Sequence, residues 1–209
     1  MTIHLNMFKE FEKKEEEPAE EESVTGSVQI ETELRTIGLF GEVNEERMSE
    51  VIGALILLRE SGLTVETEQE SGSPIEMLLS TPGGDAHDMF AIYDTMRLVR
   101  DRNHIHTCAI GKVMSAGVLL LAAGTKGHRK IAKNCRAMIH GVTGGHIGTI
   151  HNLENEMDEI RWLQERYIDA LVAETDMTKR FLKKLIARKV NVYLTAEEAV
   201  EYGIADEVV

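Results

Sequence analysis

The stretch PIEMLLSTPGGDAHDMFAIYDTMRLVRDRNHIHTCAIGKV, residues 74–113, decides the fold class. Its first part, residues 74–81, is an apolar run that ends at a Pro-Gly-Gly turn, which is typical of a buried strand. Residues 88–101 carry apolar side chains at helical spacing, and residues 104–113 predict a second buried strand. A strand, a helix and a strand in this order form a βαβ unit, whose two strands lie parallel in one sheet.

The same alternation continues on both sides of this unit. Residues 36–43 predict a short buried strand, and residues 44–62 predict an amphipathic helix with Asn44 as its N-cap. On the C-terminal side, residues 115–124 predict an apolar helix of small residues, and RAMIHG, residues 136–141, predicts a further strand. Strands that alternate with helices predict an α/β layer fold with a mostly parallel sheet.

A long amphipathic helix is predicted from about Thr149 to Glu174. Its apolar positions recur every three or four residues, the spacing of one helix face. These positions are Ile150, Leu153, Met157, Ile160, Leu163, Tyr167 and Leu171. About 25 helical residues extend roughly 37 Å, more than a compact domain of this size needs for its own core. We interpret this helix as an inter-subunit handle; the alternative is a long core helix.

Length and composition limit the number of domains and the class of partner. The 209 residues are enough for one main domain. Asp and Glu number 36 against 23 Lys and Arg, and the net charge of −13 disfavours nucleic acid or an anionic membrane as the main partner. Cys108 and Cys135 form no CxxC pair, which fits a reducing compartment. Because the longest apolar runs are too short to cross a bilayer, we expect a soluble, cytoplasmic protein.

Residues 1–30 differ in composition from the rest of the chain. Between Lys9 and Glu22 there are eight Glu and three Lys around Pro18. Such a stretch has too few apolar side chains to bury itself. We therefore expect an acidic, flexible N-terminal tail over residues 1–30, followed by one folded domain over residues 31–209. The alternative is a mobile arm that contacts a partner or guards an entrance.

Three features point to acyl-transfer chemistry. Ser115 lies where a strand ends and a helix begins, so that free N–H groups and the positive end of the helix dipole lie beside any oxyanion formed there. His140 ends an apolar strand before a Gly-rich loop, where an imidazole can point into a cleft. The Gly83-Gly84 turn presents backbone N–H groups without side-chain obstruction. Taken alone, these features are equally those of a helix N-cap, a hydrogen-bonded loop histidine and a connecting turn.

Taken together, the features resemble the Clp proteolytic subunit family, ClpP, of self-compartmentalised serine peptidases. The resemblance is carried, in this order, by the PGG turn, by Ser115 ahead of LLLAAG, by MIHG and by LTAEEAVEYGIAD. The spacing of 25 residues from Ser115 to His140 also matches. The resemblance extends from about Arg35 to Val209 and implies a ClpP/crotonase-like fold of repeated βαβ units with a protruding handle helix.

The resemblance implies roles for individual residues. Ser115 matches the nucleophile and His140 the general base, while Gly84 and Ala116 match the residues whose N–H groups form the oxyanion hole. The Asp that completes the family's triad corresponds here to Asn191 in KVNVYLTAEEA. Because Asn carries no charge to stabilise an imidazolium, a Ser-His-Asn variant with weak activity is expected. If Asn191 does not face the histidine, the orienting group is sought in a nearby acid such as Asp206 or in a backbone carbonyl.

The resemblance also implies an assembly and a substrate. Heptameric rings are expected to stack into a homo-oligomeric tetradecamer, with unfolded polypeptide or peptide lying as an added strand along GGHIG, residues 144–148. The chemistry needs no metal and no organic cofactor. The family docks an ATP-dependent unfoldase in apolar pockets that use tyrosines on the strand before the PGG turn. Glu76 and Leu78 take those positions here, so the docking pocket departs from the family pattern.

Two other functions stay open at this point. A catalytically silent or weak scaffold subunit, assembled with an active paralogue, is suggested by Asn191. A relative of the acyl-CoA hydratases would share the fold and a Gly-rich oxyanion hole, but it would not need Ser115 together with His140.

Four further residues and one loop are interpreted as structural. His104 and His106 lie two apart on a predicted strand, and we interpret them as a surface pair rather than as metal ligands. Lys112 and Lys126 are alternative bases for a serine-lysine dyad, which the match at the histidine makes unnecessary. The basic stretch TKGHRK, residues 125–130, predicts a solvated loop.

Overall fold

A computed structural model of the chain describes residues 34–61, 72–188 and 190–209. The strands are β1 Thr36–Phe40, β2 Gly72–Thr81, β3 Asn103–Met114, β4 Arg129–Ile131, β5 Arg136–Ile139, β6 Val192–Leu194 and β7 Glu207–Val208. The helices are α1 Glu45–Ser61, α2 Ala86–Arg100, α3 Ala116–Ala122, α4 Ile150–Glu174, α5 Lys179–Ile186 and α6 Ala196–Glu201. The tail predicted over residues 1–30 lies outside the described residues.

The strands form one mostly parallel sheet in the order β1-β2-β3-β4-β7, and β5 joins it beside β3. The first part of β3, Thr107–Ala109, pairs with β4, whereas the last part, Lys112–Met114, pairs with β5. Gly111 lies between these two parts with φ at 68°, a conformation that glycine adopts without strain. Only β6 runs antiparallel, against β5, among the strands described. The sheet confirms the predicted α/β fold.

The core lies where α2 and α3 pack on the sheet. All seven residues of α3 are buried, because this helix contacts the sheet, α2 and α4. The predicted N-cap of α1 is present. The Asn44 side chain accepts a hydrogen bond from the N–H of Arg47 at 3.0 Å, and Thr195 and Glu198 form a capping box. Among the described helices, none is both long enough and apolar enough to cross a bilayer.

The long helix α4 is exposed in its first half and buried in its second. Ile150 is 73% exposed and Met157 is 48% exposed, whereas Leu163, Tyr167 and Leu171 are buried. The second half packs on α3 and α5. The first half therefore presents apolar side chains away from the core, as a protruding handle does.

A buried carboxylate ends α4. Glu174 is the last residue of the helix and accepts hydrogen bonds from the hydroxyl of Tyr93 and from two guanidinium nitrogens of Arg100, each at 3.0 Å. A negative charge at a helix C-terminus opposes the helix dipole, so Arg100 supplies the compensating charge. The cluster ties α4 to α2.

The prediction of a solvated loop over residues 125–130 is wrong for the last two of them, which begin β4. The side chain of Arg129 is only 4% exposed, and it donates two hydrogen bonds to the carboxylate of Asp206. It also donates to the carbonyls of Ala122, Glu174 and Gly203. These partners lie at least seven positions away along the chain. The sequence around Arg129 therefore shows its positive charge but not its buried hydrogen bonds.

Candidate active site

Ser115 has an unusual backbone at the junction of β3 and α3. Its φ of 54° and ψ of −119° make it the one non-glycine residue with positive φ in the part of the chain that is described. Such a conformation is strained by about 1–3 kcal/mol. The hydroxyl makes no capping hydrogen bond to the helix that it precedes. The side chain is therefore not acting as an N-cap, and a strained serine at a strand-to-helix turn is the arrangement of a nucleophile elbow.

Both ends of Ser115 are held by neighbouring elements. Its N–H donates to the carbonyl of Met138 on β5 at 2.8 Å. Its carbonyl oxygen accepts from the N–H of Val118 at 3.0 Å and from the hydroxyl of Tyr167 on α4 at 2.9 Å. These three hydrogen bonds maintain the strained turn.

Two backbone N–H groups beside this turn have no acceptor among the described residues. The N–H of Val43 donates to the Gly83 carbonyl at 2.8 Å, and the N–H of Asp85 donates to the Val43 carbonyl at 2.9 Å. This parallel bridge turns the Gly84 N–H away from Val43, and the Gly84 N–H has no acceptor among the described residues. Ala116 begins α3, so its N–H has no acceptor within the helix.

Glycine is required at both positions of the turn, for two different reasons. A Cβ on Gly84 would lie 2.0 Å from the carbonyl oxygen of Val43. A Cβ on Gly83, whose φ is +94°, would lie 2.7 Å from the Cβ of Ser115. The turn therefore packs directly against the serine, with no space for side chains.

A cavity of about 240 Å³ opens in front of this turn. Its walls come from the start of α2, the loop of residues 142–145 and the handle helix α4. Four of the five residues singled out from the sequence line it, namely Gly84, Ser115, Ala116 and His140. One cavity thus brings together a serine, a histidine and two free N–H groups.

Asn191 directly precedes β6, as His140 directly follows β5, but Asn191 does not line the cavity. The pairing of β5 with β6 ends with Ile139 opposite Val192, and one further step in this antiparallel register would set Asn191 opposite His140. Asn191 is exposed and His140 is half-buried. The structure contains no hydrogen bond between their side chains.

The chain was compared with known proteins. The family model for Clp protease matches residues 19–209 of the chain. The chain belongs to the Clp protease family. A relative named ATP-dependent Clp protease proteolytic subunit 1, from Prochlorococcus marinus strain MIT 9312, is 34% identical over 172 residues, which cover 82% of each chain. The ATP-dependent Clp protease proteolytic subunit of Deinococcus radiodurans is 34% identical over 165 residues, 79% of this chain and 76% of its own length.

In this Clp family member Asp206 is not available as an alternative partner of the histidine. Both of its carboxylate oxygens accept hydrogen bonds from the Arg129 side chain, and one also accepts from the N–H of Gly127 at 2.7 Å. Burial tends to raise the pKa of Asp206, but these hydrogen bonds outweigh it and lower the pKa overall. The hydrogen bonds described for Asp206 do not include one to His140, and Asp206 does not line the cavity.

His104 and His106 lie on the exposed side of β3, away from the cavity. Nδ1 of His106 is 2.7 Å from Oε1 of Glu76, and the His106 ring stacks on that of His128 with centroids 4.2 Å apart. Within the described residues, no group of three or more His, Cys, Asp or Glu side chains is placed to hold a metal ion.

The two lysines weighed as alternative bases also lie elsewhere. Lys112 is exposed on β3, and Lys126 is exposed in the turn before β4. Neither lines the cavity that contains Ser115. The histidines that line the same cavity as the serine are His87, at the start of α2, and His140, which directly follows β5.

One residue of the site was missed from the sequence. Tyr167 was identified only as an apolar position of the long helix, yet it lines the cavity and its hydroxyl bonds the Ser115 carbonyl. Burial raises the pKa of Tyr167, so the hydroxyl stays protonated and able to donate. A buried Tyr needs a hydrogen-bond partner for its hydroxyl, and this requirement was the sequence signal that Tyr167 contacts a polar group. The identity of that partner depends on how α4 packs on α3.

Proposed function

We propose that this Clp family member is a serine endopeptidase that hydrolyses unfolded polypeptides or peptides. The observation that carries the proposal is the strained Ser115 turn, which shares one cavity with His140 and with the free N–H groups of Gly84 and Ala116. These are the parts that acyl transfer to serine requires. The reaction uses side chains and backbone alone.

The proposed chemistry begins at the Ser115 hydroxyl. His140 accepts the hydroxyl proton while Oγ forms a bond to the carbonyl carbon of the scissile peptide. The carbonyl oxygen becomes an oxyanion, which accepts hydrogen bonds from the N–H groups of Gly84 and Ala116. His140 then passes the proton to the leaving amine as the C–N bond breaks. Water, deprotonated by His140, hydrolyses the acyl-enzyme and restores the serine.

We propose that Asn191 is the third member of the triad and that it slows the enzyme. The antiparallel pairing of Ile139 with Val192 supports this assignment, because the same register continued by one residue would set Asn191 opposite His140. Its amide oxygen can accept a hydrogen bond from the imidazole, but it carries no charge to stabilise the imidazolium. In the general serine-protease case, changing the triad Asp to Asn lowers turnover by about 10⁴, and that factor bounds the effect expected here.

The assembly proposed is a homo-oligomeric double ring in the cytoplasm, with substrate held as a strand along residues 144–148. The exposed apolar first half of α4 supports a handle that needs a partner subunit. An ATP-dependent unfoldase would bind a docking surface that differs from the family pattern at residues 76 and 78. There Glu76 is paired with His106 and stands beside Leu78 on β2, so that face is partly charged.

A second candidate is a scaffold subunit that assembles with an active paralogue. The observation that favours it is the exposure of Asn191 and its absence from the cavity wall. A hydratase activity is not proposed, since the family is that of the Clp proteases and the Ser115–His140 pair has no use in it.

The test is hydrolysis of a fluorogenic peptide-coumarin amide by the full-length chain. We expect the wild type to cleave it and Ser115→Ala to lose cleavage. Ser80→Ala is the matched control, because Ser80 is a half-buried strand serine away from the cavity. Equal cleavage by the Ser115→Ala variant would place the nucleophile elsewhere. A wild type that is inactive alone but assembles with an active paralogue would favour the scaffold.

A further inference from the structure

We propose that Tyr167 is a positioning residue that aims the Ala116 N–H at the oxyanion. This inference rests on the peptidase function proposed above. Tyr167 belongs to the buried half of α4 and is 4% exposed. Its hydroxyl donates a hydrogen bond to the carbonyl oxygen of Ser115 at 2.9 Å. The contact is to the backbone of the nucleophile and not to its hydroxyl.

The geometry of the peptide bond connects this contact to the oxyanion. The carbonyl of Ser115 and the N–H of Ala116 belong to the same peptide unit, which is planar and, like every described peptide, not cis. The C=O and the N–H of such a unit point in opposite directions, so fixing the oxygen fixes the direction of the N–H. A hydrogen bond to the oxygen also polarises the unit and strengthens the N–H as a donor.

The backbone at this point needs such a constraint. Ser115 has positive φ, and in the part of the chain that is described its carbonyl accepts from one other donor, the N–H of Val118 at 3.0 Å. Without the Tyr167 hydroxyl, rotation of the peptide unit is opposed by that single hydrogen bond. The Ala116 N–H then samples a wider range of directions, and a smaller share of them stabilises the oxyanion.

Phenylalanine at position 167 separates this role from packing. Tyr167→Phe keeps the ring that lines the cavity and removes only the hydroxyl. Tyr93→Phe is the matched control, since Tyr93 is 5% exposed and its hydroxyl hydrogen-bonds Glu174 rather than the site. Both variants lose one buried hydroxyl, so a loss of stability alone affects them similarly.

The experiment measures kcat and KM for the peptide amide and the inhibition constant of a peptidyl trifluoromethyl ketone. The adduct of this ketone with a serine carries an oxyanion. We expect Tyr167→Phe to lower kcat and to weaken ketone inhibition, each about fivefold, the factor expected for one hydrogen bond. KM should change less than about twofold, because the ground state does not use the N–H in this way. Tyr93→Phe should match the wild type.

The outcomes distinguish the two proposals. If the wild type is active and Tyr167→Phe equals Tyr93→Phe, the positioning role is overturned and the peptidase function stands. A wild type that neither cleaves peptide nor binds the ketone overturns both. Should Tyr167→Phe fail to fold, Tyr167→Met also places a large apolar side chain there without a hydrogen-bond donor. This variant must then show the same result, a lower kcat with little change in KM.

Discussion

At Ser115 the backbone conformation carries more information than the residue type. A serine before a helix ordinarily accepts a hydrogen bond from the first turn, but here the hydroxyl makes none and φ is positive. The sequence was sufficient to pair Ser115 with His140 through the motifs around them. It was not sufficient to distinguish a cap from a nucleophile, because that distinction depends on contacts with Met138 and Tyr167, which are distant in sequence.

The first prediction concerns Asn191. We expect Asn191→Asp to raise kcat on small peptides by at least about tenfold, equivalent to roughly 1.4 kcal/mol, because a carboxylate stabilises the imidazolium. The measurement is steady-state hydrolysis of the peptide amide. Asn134→Asp, which adds the same charge in the exposed turn before β5, should change nothing. An unchanged kcat in the Asn191 variant would remove Asn191 from the triad.

The glycine turn gives a second prediction at the same scale. Gly84→Ala should lower stability by about 1–3 kcal/mol, because the added Cβ has no room beside the Val43 carbonyl, and it should also reduce peptide cleavage. Gly53→Ala is the comparison. Gly53 is exposed within α1, a Cβ there would contact nothing, and alanine should raise stability by about 0.5–1 kcal/mol. Urea unfolding of both variants measures the two effects, and equal changes would contradict the account.

Among the secondary-structure elements, those with a clear apolar run or spacing were predictable, whereas the shortest strands, β4 and β7, were not. Apolar spacing in the sequence predicts the helices α2 and α4 and the strands β2 and β3. The strands β4 and β7 have three and two residues, too few for any period. Their pairing is stabilised by Arg129, whose partners lie at residues 122, 174 and 203–206. The antiparallel pairing of β5 with β6 is likewise long-range, so the sequence alone did not show where Asn191 lies.

The contact between Asp206 and Arg129 gives a prediction about acid stability. A lowered pKa in the folded state means that the carboxylate adds stability above its unfolded pKa, near 3.8, and that this stability is lost as the pH falls below that value. Asp206→Asn should therefore lower the melting temperature at pH 7, and its difference from the wild type should narrow below about pH 4. Asp158→Asn, in an exposed pair with Arg161, should have little effect at any pH. A difference that is constant with pH would contradict this reasoning.

At the scale of the whole molecule, contacts within one chain do not explain the exposed apolar side chains of the handle helix. Its first half exposes Ile150, Leu153, Met157 and Trp162. Apolar side chains grouped on one protruding element are typical of a surface that meets a partner. The sequence predicted this from helix length alone, but it contains no direct sign of the number of subunits.

This exposed group predicts the effect of a charge on assembly. Met157→Asp should separate stacked rings into single rings or smaller species, because a carboxylate in an apolar contact is desolvated without a partner. Sedimentation velocity measures the change. Leu98→Asp makes a similar substitution at an exposed position of α2 and should leave the stacking intact. A wild type that sediments as a monomer near 23 kDa at micromolar concentration would overturn the proposed assembly.

The central claim is that Ser115 is an activated nucleophile, and the most direct measurement is covalent labelling with a fluorophosphonate probe. Its reactive phosphorus is attacked by a serine only where a base accepts the hydroxyl proton. We expect one adduct, located on Ser115 by mass spectrometry of the digested full-length protein, and its loss in Ser115→Ala and His140→Ala. No adduct on the wild type, or an adduct on another residue that persists in Ser115→Ala, would contradict it.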